Sequence, residues 1–126
     1  MKRVFVAEDD FVISRLYQIH FQRNQIQGSF FTTGRSLIES AMMTRPDLVI
    51  LDFELPDIRG PEVMSELHRI PGCGDVPVVF VTGRATPEVI DSLRSEGARE
   101  VFGKPFSPLL LIQIISTLTG KTPDEP

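Results

Sequence analysis

The stretch VFVAEDD, residues 4–10, sets the fold that we predict for this chain. Its first half is a short apolar run of the kind found in buried parallel strands, and its acidic half follows directly. The run LVILD, residues 48–52, repeats this pattern and ends in Asp52. In open α/β sheets, functional groups gather at the carboxyl ends of the strands. Acids that follow two neighbouring strands would therefore meet in one crevice, where they resist full ionisation unless a cation joins them.

Strand-like and helix-like stretches alternate from one end of the chain to the other. The predicted strands are residues 4–7, 29–33, 48–52, 78–81 and 100–102. The predicted helices are residues 11–24, 35–44, 61–69, 87–96 and 107–118, and Gly28 is predicted to break the first helical region. This alternation predicts an α/β fold with a single doubly wound, five-stranded parallel sheet and five helices. If the strand order is flavodoxin-like, 2-1-3-4-5, the two strands that end in acid are neighbours.

Helical spacing of apolar residues indicates which side of each of the first two helices packs on the sheet. The expected inner residues are Val12, Leu16 and Ile19 in the first helix, and Leu37, Ile38, Ala41 and Met42 in the second. We therefore expect these side chains to belong to the core.

Length, charge and cysteine content exclude several classes of protein. A chain of 126 residues makes one domain, which we place at residues 1–120, with residues 121–126 as a polar tail or the start of a linker. The net charge of −4 argues against direct binding of nucleic acid. A single cysteine, Cys73, excludes an internal disulfide and fits a reducing compartment. No apolar stretch is long enough to span a membrane, so we expect a cytoplasmic protein without membrane contact.

Two further polar residues follow predicted strands. Thr82 comes after the fourth strand and Lys104 after the fifth, so both belong at the edge of the sheet that carries the acids. A hard ion such as Mg²⁺ suits a small group of carboxylates, and a lysine and a hydroxyl directed at the same point would hold an anion. A metal ion and an anion together suggest phosphoryl chemistry.

Several segments of the chain together resemble the receiver domain of bacterial two-component response regulators. These segments are VFVAEDD (4–10), PDLVILD (46–52), LP (55–56), Gly60, PVVFVTG (77–83) and KPF (104–106). Taken singly, each is an ordinary strand end, turn or helix start. Their joint order and spacing, over residues 3–118, is specific.

The resemblance implies that Asp52 is a phosphoacceptor. Its carboxylate would take a phosphoryl group from the phosphohistidine of a histidine kinase or a phosphotransfer protein. The resemblance also implies a Mg²⁺ cofactor held by Asp9 directly, by Glu8 through a water, by Asp52 and by the backbone carbonyl of Glu54.

The resemblance assigns switch roles to two of the remaining polar residues. Thr82 matches the hydroxyl that moves toward the phosphoryl oxygens, and Lys104 matches the lysine that pairs with the acid and the phosphate. Asp10 lies one place beyond the metal pair, and we predict that it caps the first helix.

The chain departs from the family pattern at the position of the switch aromatic. Family members place an aromatic residue or histidine three residues before the lysine, where this chain has Val101. Phe102 follows, but strand alternation sends it to the opposite face. The positions that govern phosphate lifetime in the family are Glu54 and Arg84 here, and we expect these opposite charges to pair and partly cover the acyl phosphate.

The last helix is unusually apolar and has more apolar side chains than one face can bury. We expect Leu111, Ile115 and Leu118 to cover the sheet. Leu109, Leu110 and Ile114 would then lie near the flank or on the surface, where they would form an interface for a homodimer or an output partner. This interface would use the fourth helix, the fifth strand and the fifth helix, and light scattering at high concentration tests the dimer.

Two alternative functions stay open at the level of sequence. A receiver-like adaptor would bind partners without being phosphorylated. Val101 leaves room for this alternative, but the complete set of acids, threonine and lysine argues against it. An aspartate-nucleophile phosphatase is suggested by Asp52-Phe53-Glu54, yet such enzymes place that pair early in the chain and the metal acids late, the reverse of this order. We therefore expect a signalling switch, not an enzyme.

Overall fold

The computed structural model describes residues 2–120 as an α/β fold around one parallel sheet. Five strands lie in the order β2-β1-β3-β4-β5, so the predicted fold class and strand order are confirmed. The strands are β1 (Lys2–Ala7), β2 (Ile26–Phe31), β3 (Leu48–Leu51), β4 (Val78–Thr82) and β5 (Glu100–Gly103). The helices are α1 (Phe11–Arg23), α2 (Gly34–Met43), α3 (Gly60–Arg69), α4 (Pro87–Ser95) and α5 (Pro108–Leu118). The predicted tail at 121–126 lies outside the described residues.

Strand alternation divides the buried side chains between the two faces of the sheet. Phe5, Leu51 and Phe80 pack on one face with α2, α3 and α4. Val6 and Ile50 pack on the other face with α1 and α5. Because all strands are parallel and Ala7 lies beside Leu51, the residues that follow these strands emerge together at one edge.

The predicted inner face of α1 is wrong. Val12, Leu16 and Ile19 are 74%, 44% and 37% exposed. The buried residues of α1 are Tyr17 and Phe21, and burial raises the pKa of the Tyr17 hydroxyl to about 12. Tyr17 and Phe21, four residues apart, place two large rings in the core on this face, and Phe21 packs on Phe30 of β2 with ring centroids 5.5 Å apart.

The first helix ends at Arg23 with Asn24 as its cap, within one residue of the prediction, so Gly28 is not its break. The chain reverses at Asn24 and at Gln25, whose φ is +58°. Gly28 then lies inside β2, where an added Cβ would approach the rings of Phe21 and Phe30 to 2.7 and 2.6 Å. The glycine is therefore used for close packing of α1 on β2.

The inner face predicted for α2 is confirmed except at its last residue. Leu37, Ile38 and Ala41 are buried, whereas Met42 is 64% exposed. Met42 lies in the last turn of the helix, beyond the part that the sheet covers.

The expectations about membrane-spanning segments and about the cysteine can be compared with the structure. Within residues 2–120, no helix combines the length and the apolar character needed to cross a membrane. Cys73 is a free, buried thiol in the loop after α3.

Candidate functional site

Three carboxylates meet where β1 and β3 end. One oxygen from each of Glu8, Asp9 and Asp52 can be chosen so that all three lie within 4.8 Å of one another. The strands fix this arrangement, because the Asp52 amide donates to the carbonyl of Ala7 at 3.3 Å. Glu8 is only 4% exposed. The sequence-predicted acids are thus brought together, and a negatively charged cluster lies at the sheet edge.

Lys104 joins the buried acid to the predicted acceptor. Its Nζ lies 2.7 Å from Glu8 Oε1 and 2.7 Å from Asp52 Oδ2. Burial raises the pKa of Glu8, and the hydrogen bond from Lys104 only partly opposes this. Burial also works against the charged form of Lys104, but its hydrogen bonds to Asp52 and Glu8 outweigh it and raise the lysine pKa. Lys104 therefore stays charged and offsets part of the carboxylate repulsion.

Thr82 lies at the end of β4, next to Lys104. The threonine is 1% exposed, and its hydroxyl accepts a hydrogen bond from the Arg84 amide at 3.2 Å. Its carbonyl accepts from the Lys104 amide at 2.9 Å. The backbone thus ties the threonine and the lysine to each other at the same edge as the acids.

Asp10 has a structural role at the start of α1, as predicted. Its Oδ1 accepts from the amides of Val12 and Ile13 at 2.9 and 3.2 Å. Its own amide donates to Glu8 Oε2 at 3.0 Å. Asp10 therefore caps the helix and helps to orient Glu8.

The residues around the missing switch aromatic lie on opposite faces, as strand alternation predicts. Val101 is 5% exposed and packs on the face that α3 and α4 cover. Phe102 packs on the face of α1 and α5, where it stacks on Phe106 with ring centroids 4.5 Å apart. The ring of Phe102, which lies two residues before Lys104, is thus directed away from α4.

The predicted charge pair and the predicted apolar surface of α5 can both be located. Arg84 Nη1 lies 3.6 Å from Glu54 Oε2, and both side chains are largely exposed.

The apolar surface predicted on α5 is only partly exposed. Leu109 and Leu110 are exposed, whereas Ile114 is half-buried against the core. Use of this surface by a homodimer or an output partner stays a prediction.

Asp57 is a structural residue that the sequence reasoning missed. Its two carboxylate oxygens accept from the amides of Gly34 and Arg35, each at 2.9 Å, at the start of α2. Burial raises the pKa of Asp57, but these backbone hydrogen bonds outweigh it, so the pKa lies below its usual value. The loop after the predicted acceptor is thereby fastened to α2. The sequence around Asp57 is typical of an ordinary turn. No sequence pattern indicates that a residue so far from α2 along the chain caps that helix.

We expect Asp57→Ala to destabilise the fold by about 1 kcal/mol at neutral pH, the usual cost of a lost helix cap. Because the folded pKa is lowered, this stabilisation is present above the unfolded pKa and is lost as the pH falls through the folded pKa. Urea unfolding of both proteins at several pH values checks this. Asp57→Asn keeps one acceptor oxygen and should lose less stability than Asp57→Ala. Equal losses for the two variants would contradict separate contributions from the two hydrogen bonds.

A second missed feature lies beside Asp52. The guanidinium carbon of Arg59 lies 4.8 Å from the ring centroid of Phe53, and that of Arg84 lies 5.6 Å from it. Phe53 itself is 9% exposed. The side chain after the predicted acceptor thus contacts two cations, one from each of two loops.

The fold and this set of acids, threonine and lysine define a receiver domain. The chain belongs to the family described as "Response regulator receiver domain", whose model matches residues 4–116. It is therefore a receiver domain of the two-component response regulators, a family of phosphorylation-controlled signalling proteins.

Individual relatives agree with this family assignment. The chain is 34% identical to the protein Rrf1 of Nitratidesulfovibrio vulgaris over 98% of this chain and 90% of Rrf1. It is 29% identical to the DNA-binding response regulator MtrA of Mycobacterium tuberculosis over 99% of this chain, and spans 54% of MtrA. The receiver domain of the sensor histidine kinase PA1611 from Pseudomonas aeruginosa, solved with magnesium in its active site cleft, superposes with a TM-score of 0.86 at 20% identity. That superposition covers 95% of this chain and 98% of the PA1611 domain.

Proposed function

We propose that this receiver domain is a switch that accepts a phosphoryl group on Asp52 from the phosphohistidine of a histidine kinase or a phosphotransfer protein. The observation that carries the proposal is the position of Asp52. Its carboxylate lies in the cluster with Glu8 and Asp9, and Lys104 is held 2.7 Å away. A carboxylate in this setting can attack phosphorus while a cation remains beside the developing charge.

The donor set fits Mg²⁺. Three carboxylates whose oxygens converge within 4.8 Å suit a small hard cation, and the receiver of PA1611 holds magnesium in its own cleft. In this proposal Asp9 and Asp52 bind the ion directly, Glu8 binds it through a water, and the backbone carbonyl of Glu54 completes the protein ligands. When bound, the ion would neutralise phosphoryl charge during transfer.

The side chains around Asp52 have distinct roles in the proposed transfer. An Asp52 oxygen forms the new bond to phosphorus as the bond to the donor imidazole breaks, and the imidazole keeps that electron pair. Lys104 then divides its hydrogen bonds between Glu8 and the added phosphoryl oxygens. The Thr82 hydroxyl leaves the Arg84 amide and donates to a phosphoryl oxygen, which moves the loop after β4.

The exposed face of α1 supports docking of the donor there. Phe11 and Val12 are 80% and 74% exposed in the first turn, at the same edge of the sheet as the acids. Exposed apolar side chains grouped on one helix face are typical of a partner surface. The face that the core leaves uncovered thus becomes the proposed docking face.

Labelling with acetyl phosphate separates this function from the two alternatives. A switch should take up one phosphoryl group per chain, only when Mg²⁺ is present, as read by intact-protein mass spectrometry. An adaptor would show no labelling. A phosphatase would instead turn over an excess of phosphomonoester.

The pair of Glu54 and Arg84 is proposed to set the lifetime of the aspartyl phosphate. Arg84→Ala should speed dephosphorylation several-fold, because the guanidinium no longer covers the acyl phosphate. Glu54→Ala frees Arg84 for the phosphoryl group and should slow it. The loss of label after rapid removal of donor measures both rates, and identical rates in all three proteins would disprove this role.

A further inference from the structure

The outer edge of the sheet at β2 lacks the features that usually keep an edge strand from pairing. Edge strands are commonly protected by lysine, by proline or by a bulge. The sequence of β2 is IQGSFF, which contains no charged residue and no proline. Its register with β1 is unbroken from Ile26 to Phe31, so it has no bulge. Since β2 is last in the strand order of residues 2–120, its outer side can receive a further strand.

The backbone groups that β2 offers to such a strand can be assigned. The carbonyl of Phe31 accepts from the Glu8 amide at 2.9 Å, so Phe31 bonds toward β1. In a parallel ladder, alternate residues bond to opposite neighbours. Ile26, Gly28 and Phe30 therefore direct their N–H and C=O groups outward, away from β1.

The helices leave grooves along both faces of β2. In the part of the chain that the structure describes, β2 is the one strand without a buried residue. The groove beside α2 has a volume of about 570 Å³ and carries hydroxyl groups, those of Ser29, Ser36, Ser40 and Thr44. Its two charged side chains, Arg3 and Glu39, have opposite signs. The groove beside α1 has a volume of about 310 Å³ and is more apolar, with Phe21, Ile26, Gly28 and Phe30 in its lining.

The side chains of β2 have the same division of polarity as the two grooves. Gln27 and Ser29 face the groove beside α2, whereas Ile26 and Phe30 pack on the face of α1. A second β2 that runs antiparallel, with the two-fold axis at Gly28, would place Gln27 opposite Ser29 and Ile26 opposite Phe30. Directly opposed residues point to the same face, so polar side chains meet polar ones and apolar side chains meet apolar ones. The outward backbone groups of the two copies also pair with each other in this register.

We propose that the β2 edge is the surface through which two copies of this chain associate, by antiparallel pairing of β2 with β2 about a two-fold axis. The occupant that fits is a second copy, because the strand is complementary to itself in backbone direction and in side-chain polarity. Pairing without charge on the strand also avoids direct repulsion between copies that each have a net charge of −4. The pairing joins the two sheets into one continuous sheet. It is distinct from the surface predicted on α5, which lies with β5 at the other edge.

Disulfide cross-linking tests the register directly. Gln27→Cys and Ser29→Cys are prepared as separate proteins, then mixed and oxidised with copper phenanthroline. The native thiol of Cys73 is buried and should not react. In the mixture the two new cysteines are directly opposed, with Cα atoms about 4.5 Å apart, which a disulfide can span. In either protein alone they are diagonal, about 7–8 Å apart, which is beyond easy reach. We expect several-fold more covalent dimer in the mixture, and equal yields in all three samples, or no dimer at all, would overturn the proposal.

A pair of charge variants tests the same edge without a cross-link. Light scattering of the wild type at rising concentration should show the mass increase from 14.1 kDa toward twice that value. Gln27→Lys with Ser29→Lys places like charges opposite each other and should hold the protein at the monomer mass. Gln27→Glu with Ser29→Lys places opposite charges there and should restore the dimer. These variants differ only in the charge at one position, and urea midpoints check that both fold. A wild type that stays monomeric, or equal masses for the two variants, would disprove pairing at this edge.

Discussion

Replacing Asp52 by asparagine is expected to abolish phosphoryl labelling completely. Asparagine has nearly the same shape, but its amide cannot act as the nucleophile, and it removes one of the carboxylates that would hold Mg²⁺. The fold should survive the change. Lys104 keeps its 2.7 Å contact with Glu8, and the repulsion among the three acids falls. We expect a urea midpoint at or above that of the wild type, with no label after acetyl phosphate and Mg²⁺.

A neighbouring aspartate provides the matched control for this result. Asp10→Asn should keep full labelling, because Asp10 caps α1 through Val12 and Ile13 and asparagine caps helices as well as aspartate does. Asp9→Asn should behave differently, with labelling strongly reduced through loss of a metal ligand. Retained label on Asp52→Asn would place the phosphoryl group elsewhere. Equal behaviour of the Asp9 and Asp10 variants would contradict their separate roles.

The ends of β1, β3 and β4 could be predicted because each of these strands is a short apolar run closed by a polar residue. The strand order followed only from the assumption of a flavodoxin-like sheet, and β2 (Ile26–Phe31) begins three residues before the predicted strand at 29–33. The rotation of α1 about its axis could not be predicted from the sequence. Its sequence carries two stripes at helical spacing, one with Val12 and Leu16 and the other with Tyr17 and Phe21. Spacing is the same in both, and the choice depends on how each stripe packs against β2 and α5, which a single sequence does not show. Gly28 resembles a helix break in the sequence because glycine is common there, whereas in the structure its missing side chain is needed for packing against Phe21 and Phe30.

The acids and the lysine of the site could be predicted because parallel strands place their ends at one edge. Glu8, Asp52 and Lys104 need only the strand order to meet. Asp57 and Phe53 act through loops, and the path of a loop has no periodicity to read. The cap on α2 and the two arginines over one ring therefore became visible only in the three-dimensional structure.

Gly60→Ala is the substitution with the largest expected effect on stability. A Cβ at this position would overlap the carbonyl oxygen of Asp52 and would lie 2.7 Å from the buried ring of Phe80. The oxygen belongs to the backbone and Phe80 is fully buried, so neither can move without disturbing β3 and β4. We expect a loss near the upper end of the range of about 1–3 kcal/mol for overpacking. Labelling should also slow, because relief of the overlap displaces the backbone of the acceptor itself.

The matched control for this effect is Gly74→Ala in the loop after α3. A Cβ there would meet only the carbonyl of His68 at 3.5 Å, an ordinary contact. We expect its free energy of unfolding to change by less than about 1 kcal/mol, with labelling unchanged. Urea unfolding and the rate of labelling are measured on both variants. If Gly60→Ala unfolded at the wild-type midpoint, the close approach of α3 to the Asp52 carbonyl would not be what holds the acceptor in place. If Gly60→Ala were destabilised but still labelled at the wild-type rate, Gly60 would matter for stability only. The position of the Asp52 carboxylate would then not depend on Gly60.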